Sequence, residues 1–264
     1  MKYSYIGVLL GIISCFVLRA ANNGDVFTII SIPKSGTHLI AKFLKMLTNK
    51  NHGFAGHHIK EKKYIQNLKV SWGKNTFCHC HLLYSERNEQ LLKQNNIKLF
   101  LMIRDPRDQV ISFAYYAPKI PGIWPQAKNL SIDQMIQELI VSPSFYKALW
   151  PGIKGVNNFY RSFLPWMCAE NVCVVKFEDL VGPQGGGTLE AQFAAMRMVA
   201  NHLEMYPSDV VLFDIALRLF GKNTFRAGQI GSWKTHFKEE HKKAFKEIAG
   251  QLLIDLGYEK DFNW

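Results

Sequence analysis

Little in this chain points to covalent or metal scaffolding. There are only five cysteines, Cys15, Cys78, Cys80, Cys168 and Cys173, at irregular spacing; an odd, unpatterned set excludes a disulfide framework and favours reduced thiols. Acidic side chains are in the minority, 21 against 32 lysines and arginines, which leaves a formal charge of +11. That surplus points to an anionic partner: a nucleotide, a nucleic acid, an acidic glycan or a membrane surface. A basic tail is lacking, however. Lysines are spread along the chain with one modest cluster at Lys60, Lys62 and Lys63, and no zinc finger or single-stranded RNA platform is present, so no nucleic-acid partner is expected. Repeats, low-complexity tracts and linkers are also missing. One domain is expected over residues 23–264, of a length that one α/β core accommodates.

The N-terminus has no run long enough to span a membrane comfortably. Lys2 precedes an apolar stretch from Tyr3 to Leu18, closed by Arg19, which has the length of a signal-peptide core. The small-residue cleavage pattern is poor, and Ile12-Ile13-Ser14-Cys15 only faintly resembles a lipoprotein box. Residues 1–22 are therefore expected to be a signal or anchor segment, making the protein membrane-associated or cytoplasm-facing. The alternative is a first strand or helix packed on the core.

What is present is an alternation of strand and helix patterns. Apolar runs at Val26–Ile30, Ile97–Ile103 and Val172–Phe177, with a shorter one ending near His81, read as strands. Asn49 to Lys69 is polar and reads as loop. Helices are expected from about Gln109 to Tyr116, after a Ser131 cap, after a Thr188 cap, and from Glu239 to Leu256 with Gly257 as its stop. The pattern implies an α/β fold in three layers, with a central, mostly parallel sheet of P-loop NTPase-like type flanked by helices.

The most informative stretch is Ile32-Pro33-Lys34-Ser35-Gly36-Thr37-His38, between the first strand and an amphipathic helix. A turn of this kind can hold a phosphate-like anion: Gly36 frees the backbone, Lys34 brings charge, Ser35 and Thr37 bring hydroxyls, and the helix amides point at the same place. The Walker pattern is absent, because the lysine precedes the glycine. Arg104 ends the second long apolar run, with Ser112 eight residues later; an arginine fork and a hydroxyl so placed can grip a second phosphate. Residues 225–234 put two glycines and two cations around Trp233, a basic flap. Cys78-His79-Cys80-His81 offers four ligand types in a row, but neighbours on a strand face opposite ways, so a metal site is disfavoured. His79 and His81 share a face, and either could act as a base. Read without further support, these residues also suit a small P-loop nucleotide kinase or a non-catalytic nucleotide-binding protein.

Taken together, the segments resemble the sulfotransferases that use 3′-phosphoadenosine 5′-phosphosulfate (PAPS). Pro33 to His38 resembles their 5′-phosphosulfate loop, Arg104 to Ser112 their 3′-phosphate site, and Arg226 to Lys234 their closing motif. Phe177-Glu178-Asp179-Leu180 resembles their Tyr-Glu-Asp-Leu. The resemblance implies transfer of a sulfuryl group to a hydroxyl or amine of a small-molecule or glycan acceptor. Lys34 would then serve at the leaving oxygen and His81 as base. Lys34, Ser35, Gly36, Thr37 and His38 would hold the 5′ end, and Arg104, Ser112, Arg226, Ala227 and Gly228 the 3′ end. Departures include His79 for a lysine, Ala227 for a lysine and Ser232 for an aspartate. Tyr116, Trp124, Tyr146, Trp150, Phe159 and Tyr160 are expected to wall the acceptor pocket. Neither acceptor identity nor oligomeric state is encoded in these motifs.

Overall fold

Side chains along the strands alternate between two apolar cores, which fixes the layering before any helix is considered. A computed structural model describes residues 26–56, 75–120, 122, 124–221 and 227–264. Its strands are β1 (Phe27–Ser31), β2 (Asn51–Gly56), β3 (Thr76–Cys80), β4 (Lys98–Ile103) and β5 (Val172–Lys176). They pair in parallel in the order β2-β3-β1-β4-β5. Ile30, Cys78, Cys80, Leu99, Leu101 and Ile103 enter one core. Phe27, Ile29, Phe77, Phe100, Met102 and Val175 enter the other. The α/β expectation with a parallel sheet therefore holds.

The helices are α1 (Thr37–Thr48), α2 (Glu86–Gln94), α3 (Pro106–Ala114), α4 (Ile132–Val141), α5 (Ser144–Leu149), α6 (Val156–Arg161), α7 (Phe177–Leu180), α8 (Leu189–His202), α9 (Asp209–Leu219), α10 (Trp233–His236) and α11 (Glu239–Asp255). Helices α1, α8 and α9 cover one face, and α3, α4, α6 and α11 the other. Ser131 caps α4 in a full capping box with Gln134, and Thr188 accepts from the Ala191 amide at the start of α8. Gly257, with φ 73°, follows the end of α11.

Several boundaries differ from expectation for identifiable reasons. Helix α3 begins at Pro106, not near Gln109, because Asp105 accepts the Arg107 amide as cap and proline suits the first helical turn. The expected loop after α1 contains β2, an edge strand, with Asn51 and Phe54 exposed; that polar sequence lacks the apolar run by which a buried strand is read. The rest of that loop, including Lys60, Lys62 and Lys63, lies outside the described residues. Strand β5 ends before Phe177 and is only alternately buried, because it too is an edge.

Membrane association is corrected. Among the described residues no helix is long and apolar enough to cross a membrane. Residues 1–22, on which that reading rested, lie outside the described residues.

Gly36 is the position least able to change. It has φ 102°, and a Cβ there would meet Phe177 Cδ2 at 2.7 Å and Met102 Cε at 2.9 Å. Gly36→Ala should therefore cost about 2–3 kcal/mol, combining a left-handed backbone penalty with overpacking. Chemical-denaturation midpoints would measure it, and an unchanged midpoint would refute the packing argument.

Candidate active site

Because β1 lies between β3 and β4, three carboxyl ends meet at one edge, where ligands bind in open parallel sheets. A cavity of about 520 Å³ opens there. Lys34, Gly36, Thr37, His38, His79, His81, Arg104, Ser112, Ala227 and Gly228 all line it. Ser35 does not; it is fully buried beneath the turn. Arg226 lies outside the described residues.

The turn has the construction an anion site needs. Ser35 N–H donates to the Ile32 carbonyl at 3.0 Å, and Gln109 Nε2 ties the Pro33 carbonyl to α3 at 3.0 Å. The cap of α1 is Gly36, which has no side chain to offer, so among the described residues the start of the helix has no side-chain cap bond. A plain Ser or Thr cap is thereby excluded. Lys34 adopts φ 70°, rare for a residue with a Cβ, and its ammonium stands 3.8 Å from the centre of the Tyr116 ring. Thr37 Oγ1 is 2.6 Å from Ser31 Oγ.

His81 follows β3 directly, level with the end of β1. Its Nδ1 is 2.8 Å from the Ser31 carbonyl. A carbonyl can only accept, so Nδ1 carries the hydrogen and the neutral ring has its lone pair on Nε2. His79 is held from the other side: its Nδ1 is 3.2 Å from the Gly53 carbonyl and 2.8 Å from His52 Nε2. His38 and Phe54 pack against it with ring centres 5.6 and 4.8 Å away. Burial, reinforced by neighbouring imidazoles, pushes the His79 pKa down to about 3 and that of His52 to about 4. Burial and then Lys34 lower that of His38. Cys78 and Cys80 point the opposite way, into a core.

Arg104 is stacked on the Phe177 ring at 4.1 Å and donates through Nη2 to the Gln229 carbonyl at 2.7 Å. Asp108, one turn further, accepts the amides of Gly231 at 2.8 Å and Trp233 at 2.9 Å. It also lies 3.4 Å from Arg104 Nη2. Burial raises the Asp108 pKa, while Arg104 and the two amides oppose that rise. The hold of Asp108 on the flap spans more than 120 residues and is visible only in three dimensions. Arg107 has a structural place, bidentate on Asp105 and lying 3.9 Å from Trp233 and 4.5 Å from Trp264. Glu178 accepts the Asp105 amide at 2.9 Å and the Tyr258 hydroxyl at 3.1 Å, and burial pushes its pKa up to about 7.

Most of the expected acceptor-pocket rings are core. Tyr146, Phe159 and Tyr160 are fully buried, and Trp124 is almost so. Tyr116 and Trp150 line the cavity, joined by Phe113, Ile120, Leu149 and Phe54.

The fold and this edge define a P-loop-like α/β protein whose Lys34–Thr37 turn faces a histidine-lined cavity. The family model described as "Sulfotransferase domain" matches residues 24–184, more than half the chain, and the chain belongs to that family. Sulfotransferase 6B1 from Mus musculus is 24% identical over 265 residues, spanning 90% of this chain and 81% of the relative. The Homo sapiens protein of the same name is 22% identical, spanning 89% and 80%. Among solved structures, mouse sulfotransferase SULT7A1 complexed with PAP is similar at a TM-score of 0.63 and 17% identity, covering 89% of this chain and 87% of that one. Retinol dehydratase, in complex with androsterone and the inactive cofactor PAP, reaches 0.61 at 15% identity, covering 88% and 81%.

Two outcomes follow. Asp108→Asn should cost about 1–3 kcal/mol by weakening charge-assisted bonds. Amide exchange at Gly231 and Trp233 should rise at least tenfold, as read by hydrogen-exchange mass spectrometry or NMR. The histidine pair sets a pH dependence. In the unfolded chain these rings protonate near 6.5, whereas the folded chain resists until about 4 and about 3. The unfolded state therefore binds more protons in between, so stability is full above that window and falls as pH drops through it. A His52→Gln/His79→Gln double variant should lose less Tm than wild type between pH 6.5 and 4; parallel curves would contradict the burial argument.

Proposed function

We propose that the chain is a sulfotransferase that uses PAPS and delivers the sulfuryl group to a hydroxyl or amine of a small acceptor. One observation carries the reading: Lys34, His81 and Arg104 leave the ends of three adjacent strands and face one cavity. The residues suit a bisphosphorylated nucleotide. Two cations and an uncapped helix start flank the cavity, and Arg104 Nε is buried without a hydrogen-bond partner among the described residues. The PAP named in both similar structures supports the same donor.

When bound, PAPS supplies an activated sulfuryl group and departs as the bisphosphorylated nucleotide. Lys34 would neutralise charge at the leaving oxygen, together with the dipole of α1. The Thr37 and His38 amides and the Thr37 hydroxyl would hold the 5′ end. Arg104 and Ser112 would hold the 3′-phosphate, with Arg226, Ala227 and Gly228 closing over it. His81 would take the acceptor's proton on Nε2, oriented by the Ser31 carbonyl. His79, whose pKa burial pushes down to about 3, is a weak base. Phe113, Ile120, Leu149 and Trp150 favour an acceptor with an apolar body.

PAP should raise Tm by several degrees in the wild-type chain through preferential binding to the native state. Arg104→Ala should weaken that shift. In a radiolabelled transfer assay over a panel of phenols and alcohols, Lys34→Ala and His81→Ala should each lower kcat by roughly 10²–10³. A folded wild-type chain that PAP does not stabilise would sink the reading.

A further inference from the structure

The two histidines on β3 are fixed in the same way by its two neighbours. His81 Nδ1 is tethered to the Ser31 carbonyl on β1, and His79 Nδ1 to the Gly53 carbonyl on β2. Both side chains line the cavity, with ring centres 6.2 Å apart. Each carbonyl can only accept, so we assign the hydrogen to each Nδ1 and the lone pair to each Nε2; in His79 the same Nδ1–H also faces His52 Nε2 at 2.8 Å, which then accepts. Gly53 and Ser31 lie on opposite sides of β3, yet with this assignment both rings keep an accepting Nε2. The surrounding wall is apolar or aromatic, formed by Phe54, Phe113 and Ile120.

We propose that His79 is a specificity-determining residue that accepts a hydrogen bond from a second hydroxyl of the acceptor, so that the cavity selects compact dihydroxy acceptors. This rests on the sulfotransferase reading above. One hydroxyl presents its proton to His81 and is sulfated. The other, about 5–7 Å away by the two-residue repeat of a strand, donates to His79 and fixes the acceptor's orientation. The bond that forms in the reaction is from sulfur to the first oxygen, the bond that breaks is from sulfur to the phosphate oxygen, and the proton goes to His81. His79 exchanges no proton. It suits this place because burial and its neighbours keep it neutral at working pH. A monohydroxy acceptor of equal size would leave this polar nitrogen facing a methyl group, a mismatch that costs binding.

Two probes of matched shape test the idea: 1,4-dihydroxybenzene, whose oxygens are about 5–6 Å apart, and 4-methylphenol, with a methyl in place of the second hydroxyl. Both are titrated into the PAP-saturated chain for binding, and in a separate assay with PAPS as donor they are compared for transfer. The dihydroxy compound should show about tenfold higher kcat/KM and about tenfold tighter binding. In His79→Phe both ratios should fall to about one, and in His79→Gln, whose amide oxygen can accept, part of the preference should return. In wild type labelled with ¹⁵N-histidine, the His79 Nε2 resonance should move on adding the dihydroxy compound and stay in place with 4-methylphenol. The NMR result stands even if a variant does not fold. A wild-type ratio near one, a ratio that survives in His79→Phe, a still resonance, or no binding of either phenol would overturn the proposal. Should the chain neither bind PAP nor transfer sulfate, the proposed function fails. Titration into the chain alone then still decides for His79: a tenfold preference lost in His79→Phe keeps the inference, and equal binding ends it.

Discussion

The site depends on β1 being paired in parallel on both sides. Ile30 is opposite Cys80 on one flank and Leu101 on the other, and Ser31 is opposite Met102. Three strands of equal direction and near-equal length therefore stop at one level. Whatever follows each stop is delivered to the same edge: the Lys34 turn after β1, His81 after β3 and Arg104 after β4. The His81–Ser31 bond is a direct result of that register, because the residue after Cys80 falls beside the residue after Ile30. No long-range side-chain design is needed to bring these groups within reach.

Packing then couples the turn to the far side of the cavity. The Phe177 ring lies against Gly36 on one side and under the Arg104 guanidinium on another. A tyrosine hydroxyl is therefore not needed for the stacking that holds Arg104. Asp108 closes the circuit, holding residues 231 and 233 by their amides while Arg104 reaches the Gln229 carbonyl. A buried carboxylate is costly unless its lone pairs are satisfied, and here two amides and an arginine satisfy them. The flap is thus attached to the start of α3 through backbone atoms. That explains how substitutions such as Ser232 for an aspartate can stand in its side chains without freeing it.

Sequence periodicity made the central elements legible and the edges illegible. β1 and β4 are continuous apolar runs because both their faces are covered, and the Lys-Ser-Gly-Thr turn is readable because each residue type has a local reason to be there. The polar stretch containing β2 carries no such signal: an edge strand needs one paired side and little apolar surface, and Phe54 is half exposed. His52 was missed with it, although it touches His79. The aromatic segment misled for a related reason. Ring content shows that something is buried, but not whether a ring faces a core or a cavity, and Tyr146, Phe159 and Tyr160 face the core. Arg107 stands only three residues from Arg104, yet the Trp233 and Trp264 rings that enclose it are contributed from far along the chain.

Charge is divided along the cavity in a way the net composition conceals. The chain is strongly basic, yet His38 and His79 on the cavity wall, and His52 behind them, have their pKa values lowered by burial and by the proximity of the rings to one another. Protonating His38 or His52 would place a second cation near Lys34 or Lys45 in a poorly solvated space. The positive charge is thereby concentrated where Lys34 and Arg104 stand, at the ends of β1 and β4, and withheld from the end of β3. On the proposed reading the two regions have opposite needs. An anionic donor is held by cations, whereas a base must remain unprotonated until the acceptor's hydrogen arrives. On the resemblance drawn from the sequence, in which His79 stands where a lysine is often found, a neutral ring there suits that division, because it puts no fixed charge beside His81.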